Sequence, residues 1–246
     1  ETEGGIHIFH FAYKTNAPED RLLKIGDFVL SLSMPYSAGV FFLAMKLKPP
    51  KIIRHLFPSL IWEIDDQDGV FLTFDDGPTP GVTEWILSTL DKYDAKATFF
   101  VLGKNVEMYP DLYQRILDAG HRVGNHTYSH QKGWGMSLER YTEDVDFAND
   151  LVHSELFRPP YARITPAQAR FLGQRYKLVM WDIISRDYNR KLSPRTCLRN
   201  VTKYLAPGAI VVFHDSEKAF RNMRYALPRT LEKIRQMGLK CKAIEF

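Results

Sequence analysis

From Gly69 onward, short apolar runs alternate with longer segments that carry an apolar stripe. Short runs of β-branched and aromatic residues are typical of buried strands, whereas apolar positions three and four apart are typical of amphipathic helices. The pattern predicts strands at Val70–Phe74, Ala97–Leu102, Leu178–Trp181, Ala209–Phe213 and Cys241–Phe246, with a short segment near Val123. It predicts helices at Val82–Tyr93, Tyr109–Ala119, Leu138–Leu151, Pro166–Tyr176, Arg195–Leu205 and Leu227–Met237.

Strands that alternate with helices imply parallel pairing, so the chain is expected to adopt an α/β fold. The number of strand–helix units favours a barrel-like closure over a small open sheet. The composition, with 45% hydrophobic and 25% charged residues over 246 positions, is ordinary for a globular protein with one sizeable core.

The N-terminal part follows a different pattern. Glu1–Asp20 is polar without periodicity, whereas Phe28–Met45 is largely apolar and carries no formal charge. Residues 28–45 are therefore a candidate signal or membrane-anchor core, although Pro35 and Gly39 weaken a spanning helix and the length is at the lower limit for one. The alternative is a buried or loosely ordered extension.

The segment Lys46–Pro50 is typical of a linker. We therefore expect an N-terminal extension over residues 1–48 and a compact domain over residues 49–246. A short apolar helix is expected at Ile52–Trp62, where it would cover one end of that domain.

The charge pattern excludes little. The net charge is +4 and the pI about 8.9, but no dense Lys/Arg run is interleaved with aromatic residues, which disfavours nucleic acid as a partner. Cys197 and Cys241 show neither metal-ligand nor redox spacing. Cytoplasmic, membrane-associated and cell-envelope locations therefore all remain open.

The strand predicted at Val70–Phe74 ends in two adjacent carboxylates, Asp75 and Asp76, followed by Gly77-Pro78. Barrel and open α/β folds place their chemistry at the carboxyl ends of strands. Two neighbouring carboxylates repel each other, so holding both there requires a cation, a metal or a proton. The alternative is an Asx-type turn at a strand end.

Two histidines four residues apart, His126 and His130, form the second candidate group. On a helical backbone they lie on one face, so their ring nitrogens can converge on a metal. Two imidazoles and one aspartate from another strand end are a three-ligand set for catalytic zinc with open positions. The alternative is a surface pair, or a pair in the core whose hydrogen bonds are made by neighbouring protein groups.

The segment from Arg158 to Tyr161 contains two consecutive prolines, which stiffen the turn and leave few backbone donors. Arg158 is a candidate to pair with a carboxylate and hold it ionised, and the backbone N–H of Tyr161 is a candidate donor to a developing oxyanion, although the motif taken alone is more typical of a rigid loop. The alternative is a rigid loop with a surface arginine.

Two further strand ends present titratable groups. Trp181 is followed by a loop with two acids, Asp182 and Asp187, which taken alone is typical of a solvated loop. His214 ends the strand predicted at Ala209–Phe213. A carboxylate bonded to one imidazole nitrogen raises the pKa of a histidine and orients it as a general acid, although a single histidine there is more often structural.

These five segments, in this order, resemble the five motifs of the polysaccharide deacetylase family, the NodB-homology domain. The resemblance covers about residues 69–246 and rests on Thr-Phe-Asp-Asp-Gly, His-x-x-x-His, Arg-Pro-Pro-Tyr, the Trp-Asp to Asp-aromatic loop and the late histidine. It implies a distorted (β/α) barrel that uses a divalent metal to remove acetyl groups from N-acetylated sugars or acetylated xylan.

The resemblance also implies a role for individual residues. Asp75 resembles the general base, paired with Arg158, and His214 resembles the general acid, tuned by Asp187 or, as the substitute, by Asp182. The implied metal ligands are Asp76, His126 and His130. Tyr161 resembles the backbone donor to the oxyanion. The implied substrate-contacting residues are Tyr161, Tyr188, Trp181 and Val212.

Three positions depart from the family pattern. Val212, Ala162 and Tyr188 stand where the family often has Leu, Gly and Trp. None of them removes a reacting group, so they put the substrate preference in doubt more than the activity.

The expected partner is an acetylated polysaccharide or oligosaccharide of peptidoglycan or chitin type. Zinc is the expected metal, with cobalt, nickel or manganese as substitutes. The alternatives are an esterase acting on O-acetylated xylan with the same site, and an inactive carbohydrate-binding relative.

Overall fold

The computed structural model describes residues 59–246 and, from the N-terminal part, a two-stranded antiparallel hairpin of β1 (Leu22–Ile25) and β2 (Phe28–Ser31). Most of the predicted anchor at residues 28–45 and of the predicted helix at Ile52–Trp62 lies outside the described residues. The described end of that helix is wrong, because Leu60–Ile61 forms strand β3. Among the described residues, no helix is both long and apolar enough to cross a bilayer.

The alternating apolar pattern folds into strands and helices that follow each other along the chain. The strands after β3 are β4 (Gly69–Asp75), β5 (Thr98–Val101), β6 (Arg122–Asn125), β7 (Leu156–Phe157), β8 (Lys177–Val179), β9 (Ile183–Ile184), β10 (Ile210–His214) and β11 (Lys240–Cys241). The helices are α1 (Val82–Asp91), α2 (Gly103–Met108), α3 (Pro110–Asp118), α4 (Leu138–Val152), α5 (Pro166–Leu172), α6 (Pro194–Thr202) and α7 (Glu217–Gln236). A short 3₁₀ turn spans Pro160–Ala162.

Within the described residues, nine strands form one parallel sheet in the order β3-β8-β7-β6-β5-β4-β10-β9, and β11 also pairs with β4. The sheet is curled into a half-barrel. An antiparallel bridge between Glu63 and Ala209 and a hydrogen bond from the Ile64 N–H to the Gly208 carbonyl join the segment after β3 to the start of β10. The predicted distorted (β/α) barrel is therefore confirmed.

The centre of the sheet is buried because its strands are almost wholly apolar. All seven residues of β4 are buried, and Phe74 stacks on Phe99 of β5 and on Phe213 of β10, with ring centroids 5.0 and 6.1 Å apart. Burial of each such ring stabilises the fold by about 1.5–3 kcal/mol.

The register of these strands brings their polar carboxyl ends to one level. Asp75 of β4 lies opposite His214 of β10 and Phe100 of β5, and Asn125 of β6 lies opposite Val101. The residues that follow the apolar runs therefore meet at one edge of the sheet.

The helix predicted at Leu227–Met237 begins ten residues earlier, at Glu217. Its first half was missed because the residues that it buries are mostly small or polar, including Ala219, Asn222 and Ala226, so the apolar stripe is weak. Pro228 lies inside the helix.

Other boundaries also differ from the predicted ones. The predicted helix Pro166–Tyr176 ends at Leu172. Of the strand predicted at Cys241–Phe246, only Cys241 lies in a strand, as the second residue of β11. The short elements α2, β7 and β9 were not predicted, since two to six residues carry too little periodicity to be recognised.

Candidate active site

The two adjacent carboxylates at the end of β4 contact different side chains. Asp75 is the last residue of the strand, whereas Asp76 has a left-handed backbone, with φ of 82°. The turn is fixed by two hydrogen bonds, from the Asp76 N–H to the Phe100 carbonyl and from Asn105 Nδ2 to the Asp76 carbonyl. The side chains of Asp75 and Asp76 therefore separate, one towards Arg158 and the other towards two histidines.

The guanidinium of Arg158 is fully buried and lies against Asp75, with Nη1 2.6 Å from Asp75 Oδ1. Its remaining donors bond Thr73 Oγ1 at 2.7 Å and the carbonyls of Val179 and Met180 at 3.1 and 2.8 Å. Burial lowers the pKa of Arg158, and the adjacent Asp75 opposes that shift. Because arginine stays protonated in proteins, a fixed cation lies beside Asp75.

Asp76, His126 and His130 form a compact cluster of metal-ligand atoms, one atom from each residue, all within 4.8 Å of one another. Asp76 Oδ1 lies 3.2 Å from His130 Nε2 and 3.7 Å from His126 Nε2. This oxygen is buried and accepts no hydrogen bond of regular geometry among the described residues. A buried carboxylate oxygen that faces two imidazole nitrogens fits a divalent cation at their common centre.

The protonation of His126 suits a metal ligand. Its Nδ1 lies 2.7 Å from the Arg158 carbonyl, which can only accept, so Nδ1 carries the proton and Nε2 keeps its lone pair. Burial lowers the pKa of His126 to about 4, which keeps the ring neutral at pH 7. Burial alone would raise the pKa of Asp76, but His130, His214 and His126 together lower it below its ordinary value.

The two histidines do not lie on a helix. Thr127 and His130 have left-handed backbones, with φ of 67° and 61°, so the prediction that helical spacing brings the rings together is wrong. The rings converge, with centroids 5.2 Å apart, because a loop after β6 folds back on itself.

That loop is anchored to its surroundings by side-chain carboxylate and amide groups. Asp144 of α4 accepts hydrogen bonds from the N–H groups of Tyr128 and Ser129 at 3.1 and 3.3 Å and from Ser129 Oγ at 2.6 Å. Asn125 Oδ1 accepts from the Thr127 N–H at 2.8 Å. Asp144 was not singled out from the sequence, because a polar residue on a predicted helix gives no sign of a loop partner.

His214 is bonded to Asp187, the acid favoured over Asp182 in the sequence interpretation. Its Nδ1–H donates to Asp187 Oδ1 and its backbone N–H donates to Asp187 Oδ2, both at 2.8 Å. Burial lowers the pKa of His214, but the charge and hydrogen bond of Asp187, with smaller contributions from Asp76 and Asp75, raise it to about 9.

Asp215 is a buried acid of this site to which the sequence interpretation gave no role. Its Oδ2 accepts a 2.6 Å hydrogen bond from Thr83 Oγ1, and its backbone N–H donates to the Asp75 carbonyl at 2.7 Å. Burial raises the pKa of Asp215 to about 8. A Cβ added to Gly77 would lie 2.1 Å from Asp215 Oδ2, so only glycine leaves room for this acid behind the Asp75-Asp76 turn.

Five of the residues described above line a pocket of about 390 Å³, namely Asp75, Asp76, His126, His130 and His214. All four residues expected to contact substrate, Tyr161, Tyr188, Trp181 and Val212, line it. The remaining lining residues that were not predicted are Trp134, Arg163, Ile184, Ser216 and Lys218, in addition to Pro159 and Ala162 of the third motif. Most of them come from irregular loops or from the unpredicted start of α7.

Tyr161 lines the pocket and has an unusual backbone conformation for a residue other than glycine. Its φ of 59° is left-handed, and its ring lies 4.7 Å from that of His130. The next two N–H groups, of Ala162 and Arg163, donate to the Pro159 and Pro160 carbonyls. Within the described part of the chain, no backbone carbonyl accepts a hydrogen bond from the Tyr161 N–H.

The fold and the cluster at the strand ends define a class of protein. A sequence profile described as polysaccharide deacetylase matches residues 63–177. The chain is also 31% identical over 188 residues to a peptidoglycan-N-acetylglucosamine deacetylase of Bacillus cereus, covering 73% of this chain and 88% of that protein. The chain belongs to the polysaccharide deacetylase family.

Further similarities agree with this family. A second B. cereus peptidoglycan-N-acetylglucosamine deacetylase is 34% identical over 160 residues, 60% of this chain. The chain spans only 56% of that relative's length. The crystal structure of the Bc1960 peptidoglycan N-acetylglucosamine deacetylase superposes with a TM-score of 0.72 at 27% identity, covering 76% of this chain and 91% of that one.

Proposed function

We propose that the chain is a metal-dependent deacetylase that releases acetate from N-acetylated sugars of a polysaccharide or oligosaccharide. The observation that carries this proposal is the convergence on one pocket of the Arg158–Asp75 pair, the Asp187–His214 pair and the Asp76 cluster. Two similar proteins are named as peptidoglycan deacetylases, which favours peptidoglycan as the polymer. We assign this activity to residues 49–246.

We further propose that Asp76, His126 and His130 hold the metal. When bound, a divalent metal supplies Lewis-acid polarisation of the acetyl carbonyl and acidifies a water. Two imidazoles and one carboxylate suit zinc, and cobalt, nickel or manganese can take the same ligands.

The reaction assigns one task to each remaining group. Asp75, whose Oδ1 is bonded to Arg158, accepts a proton from the water that attacks the acetyl carbon. The Tyr161 N–H donates to the oxyanion that forms at the carbonyl oxygen. When the C–N bond breaks, the His214 imidazolium gives its Nε2 proton to the departing nitrogen, and the products are acetate and a free amine.

The protonated state of His214 favours an amide substrate over an ester. An amine leaves poorly unless it is protonated, whereas an alcohol needs less assistance. A histidine with a pKa of about 9 is charged at neutral pH and ready to donate. The apolar wall of Val212 and Ile184 in the same pocket suits the methyl of an acetyl group.

The test is acetate release from N-acetylglucosamine oligomers and from peptidoglycan, with chelator and after zinc is restored. Release should stop with chelator and return with zinc. Asp75→Asn should bind zinc with unchanged affinity yet lose about 10²–10⁴-fold in turnover. Asp91→Asn, an exposed change at the end of α1, is the matched control.

Each alternative predicts a different result. Release from acetylated xylan but not from the amide substrates would make the chain an O-acetyl esterase. Chelator-insensitive release would reject the metal assignment, and full activity of Asp75→Asn would reject the base assignment. Carbohydrate binding without acetate release from any substrate would indicate an inactive relative.

A further inference from the structure

The charges of the described chain are segregated along its length. Residues 59–189 contain 20 Asp and Glu but 13 Lys and Arg, whereas residues 190–236 contain 11 Lys and Arg but three Asp and Glu. Every one of those 11 cations is exposed, and one of the three acids, Asp215, is buried. Within residues 190–236 of the described chain, one salt bridge pairs a cation with an acid, and it joins Arg235 to Glu232.

Four of these cations share one groove, because the two helices that carry them pack together. Asn200 of α6 donates to the Ser185 carbonyl, and Asn222 of α7 donates to the carbonyls of Asp187 and Asn189. Helices α6 and α7 lie side by side and share a groove that exposes Arg199, Lys203, Arg229 and Lys233. We call this surface, formed by residues 190–203 and 218–236, the cationic face.

The cationic face begins at the mouth of the pocket. Ser216 and Lys218, at the start of α7, line the pocket, and Lys218 Nζ lies 5.8 Å from the centre of the Tyr188 ring. From Lys218 to Arg235 the helix extends about 25 Å at 1.5 Å per residue. A polymer that enters the pocket has cations within reach over that distance.

The chemistry of the cationic face fits an anionic polymer better than a lipid surface. The exposed large apolar residues of the described chain are Met108, Phe147, Tyr161, Phe171, Met237 and Phe246, and none lies within residues 190–236. A surface with no exposed large apolar side chain has little to insert into a bilayer, so charge is its main means of attraction. Arginine and lysine on one extended surface suit the repeated carboxylates of a polymer.

We propose that the cationic face binds the carboxylates of the same polymer whose acetyl groups enter the pocket. This inference rests on the proposed deacetylase function and narrows its substrate class. The substrate is then an acidic glycan, such as a peptide-substituted one, rather than a neutral one. Attraction between the face and the polymer adds affinity without changing the reacting groups.

The test compares two quadruple variants of the full chain. The first, Arg199→Gln/Lys203→Gln/Arg229→Gln/Lys233→Gln, neutralises the α6–α7 groove. The control, Lys92→Gln/Arg140→Gln/Arg170→Gln/Lys177→Gln, removes four exposed cations elsewhere. Binding is measured by sedimentation with insoluble peptidoglycan, before and after amidation of its carboxylates, at increasing salt. Acetate release from a neutral chito-oligosaccharide is measured alongside.

We expect the groove variant to bind unmodified peptidoglycan at least about 10-fold more weakly than the control, since each exposed charge contact contributes a small factor. Amidation or high salt should abolish the difference. Turnover of the neutral oligosaccharide should be the same in both variants.

Three results would overturn the inference: equal binding by both variants, binding that amidation leaves unchanged, or an equal loss on the neutral oligosaccharide. If binding to phosphatidylglycerol vesicles were stronger than binding to peptidoglycan and depended on the groove cations, the ligand of the cationic face would be a lipid surface and not the polymer. Sedimentation measures binding without turnover. Carboxylate-dependent binding without acetate release would therefore reject the proposed deacetylase function, but it would support the proposal that the cationic face binds the polymer.

Discussion

His214 and Asp187 form a pair in which both carboxylate oxygens are used, one by the imidazole Nδ1–H and one by the backbone N–H. The folded-state pKa of His214, about 9, lies above its ordinary value of 6.5. Protonation of His214 therefore adds stability that is fully present below about pH 6.5 and is lost as the pH rises through about 9. The same proton is the one that the proposed reaction transfers.

Replacing Asp187 with Asn should remove the charge that holds this proton. The pKa of His214 should fall towards or below 6.5, because burial then outweighs the remaining hydrogen bond. Turnover at pH 7 should drop by about 10- to 100-fold and recover partly as the pH is lowered. An NMR titration of the His214 ring, together with the pH–rate profile, measures both effects.

Asp182→Asn is the control for this change, because Asp182 lies on the other side of the short strand β9 and is also buried. This variant should leave the pKa of His214 unchanged. A shift caused by Asp182→Asn and not by Asp187→Asn would show that the wrong acid was chosen.

At the level of elements, the loop between β6 and α4 determines whether His126 and His130 can meet. The loop has two left-handed non-glycine residues, Thr127 and His130, and such backbones persist only where neighbouring contacts hold them. Asp144 provides three of those contacts from α4.

Asp144→Ala should therefore weaken metal binding without touching a ligand. Loss of supporting contacts around a metal site typically lowers affinity by about 10- to 100-fold. Competition of the protein with a chromophoric chelator for zinc measures the change.

Asp146→Ala, two residues away on the same helix, is the matched control. It removes a half-exposed ion pair with Arg175, which is worth about 0–1 kcal/mol and lies on the surface. Equal zinc affinity of the two variants would mean that Asp144 does not hold the loop.

The elements also show what the sequence could predict. Apolar runs that end in Asp75 and His214 located two strand ends correctly, since burial and polarity change sharply there. The convergence of His126 and His130 was predicted for the wrong reason, because spacing alone does not distinguish a helix from a loop held by Asp144. The start of α7 was missed because its buried face is built from small and polar side chains.

Over the whole molecule, the sheet joins groups that are far apart in the chain. Arg158 and Asp75 are 83 positions apart, and their pairing was expected from the family resemblance, since no local pattern relates the two positions. Their contact follows from the order β8-β7-β6-β5-β4, which curls the end of β7 towards β4. Strand order depends on tertiary packing, so it cannot be predicted from a local sequence pattern.

Inside this curled sheet, Arg158 links strand β4 to the end of strand β8. Its side chain bonds Thr73 and Asp75 of β4 and the carbonyls of Val179 and Met180 at the end of β8. Removing one member of a buried ion pair leaves the other charge uncompensated, which costs about 3–5 kcal/mol.

Arg158→Met should lower the free energy of unfolding by about that amount. Arg158→Met/Asp75→Asn should recover part of the loss, because no buried charge is then left unpaired. Arg175→Met, which breaks the surface pair with Asp146, should cost less than about 1 kcal/mol. Urea unfolding with chelator present measures all three without a contribution from bound metal. If Arg158→Met is no more destabilising than Arg175→Met, the Arg158 network does not stabilise the barrel.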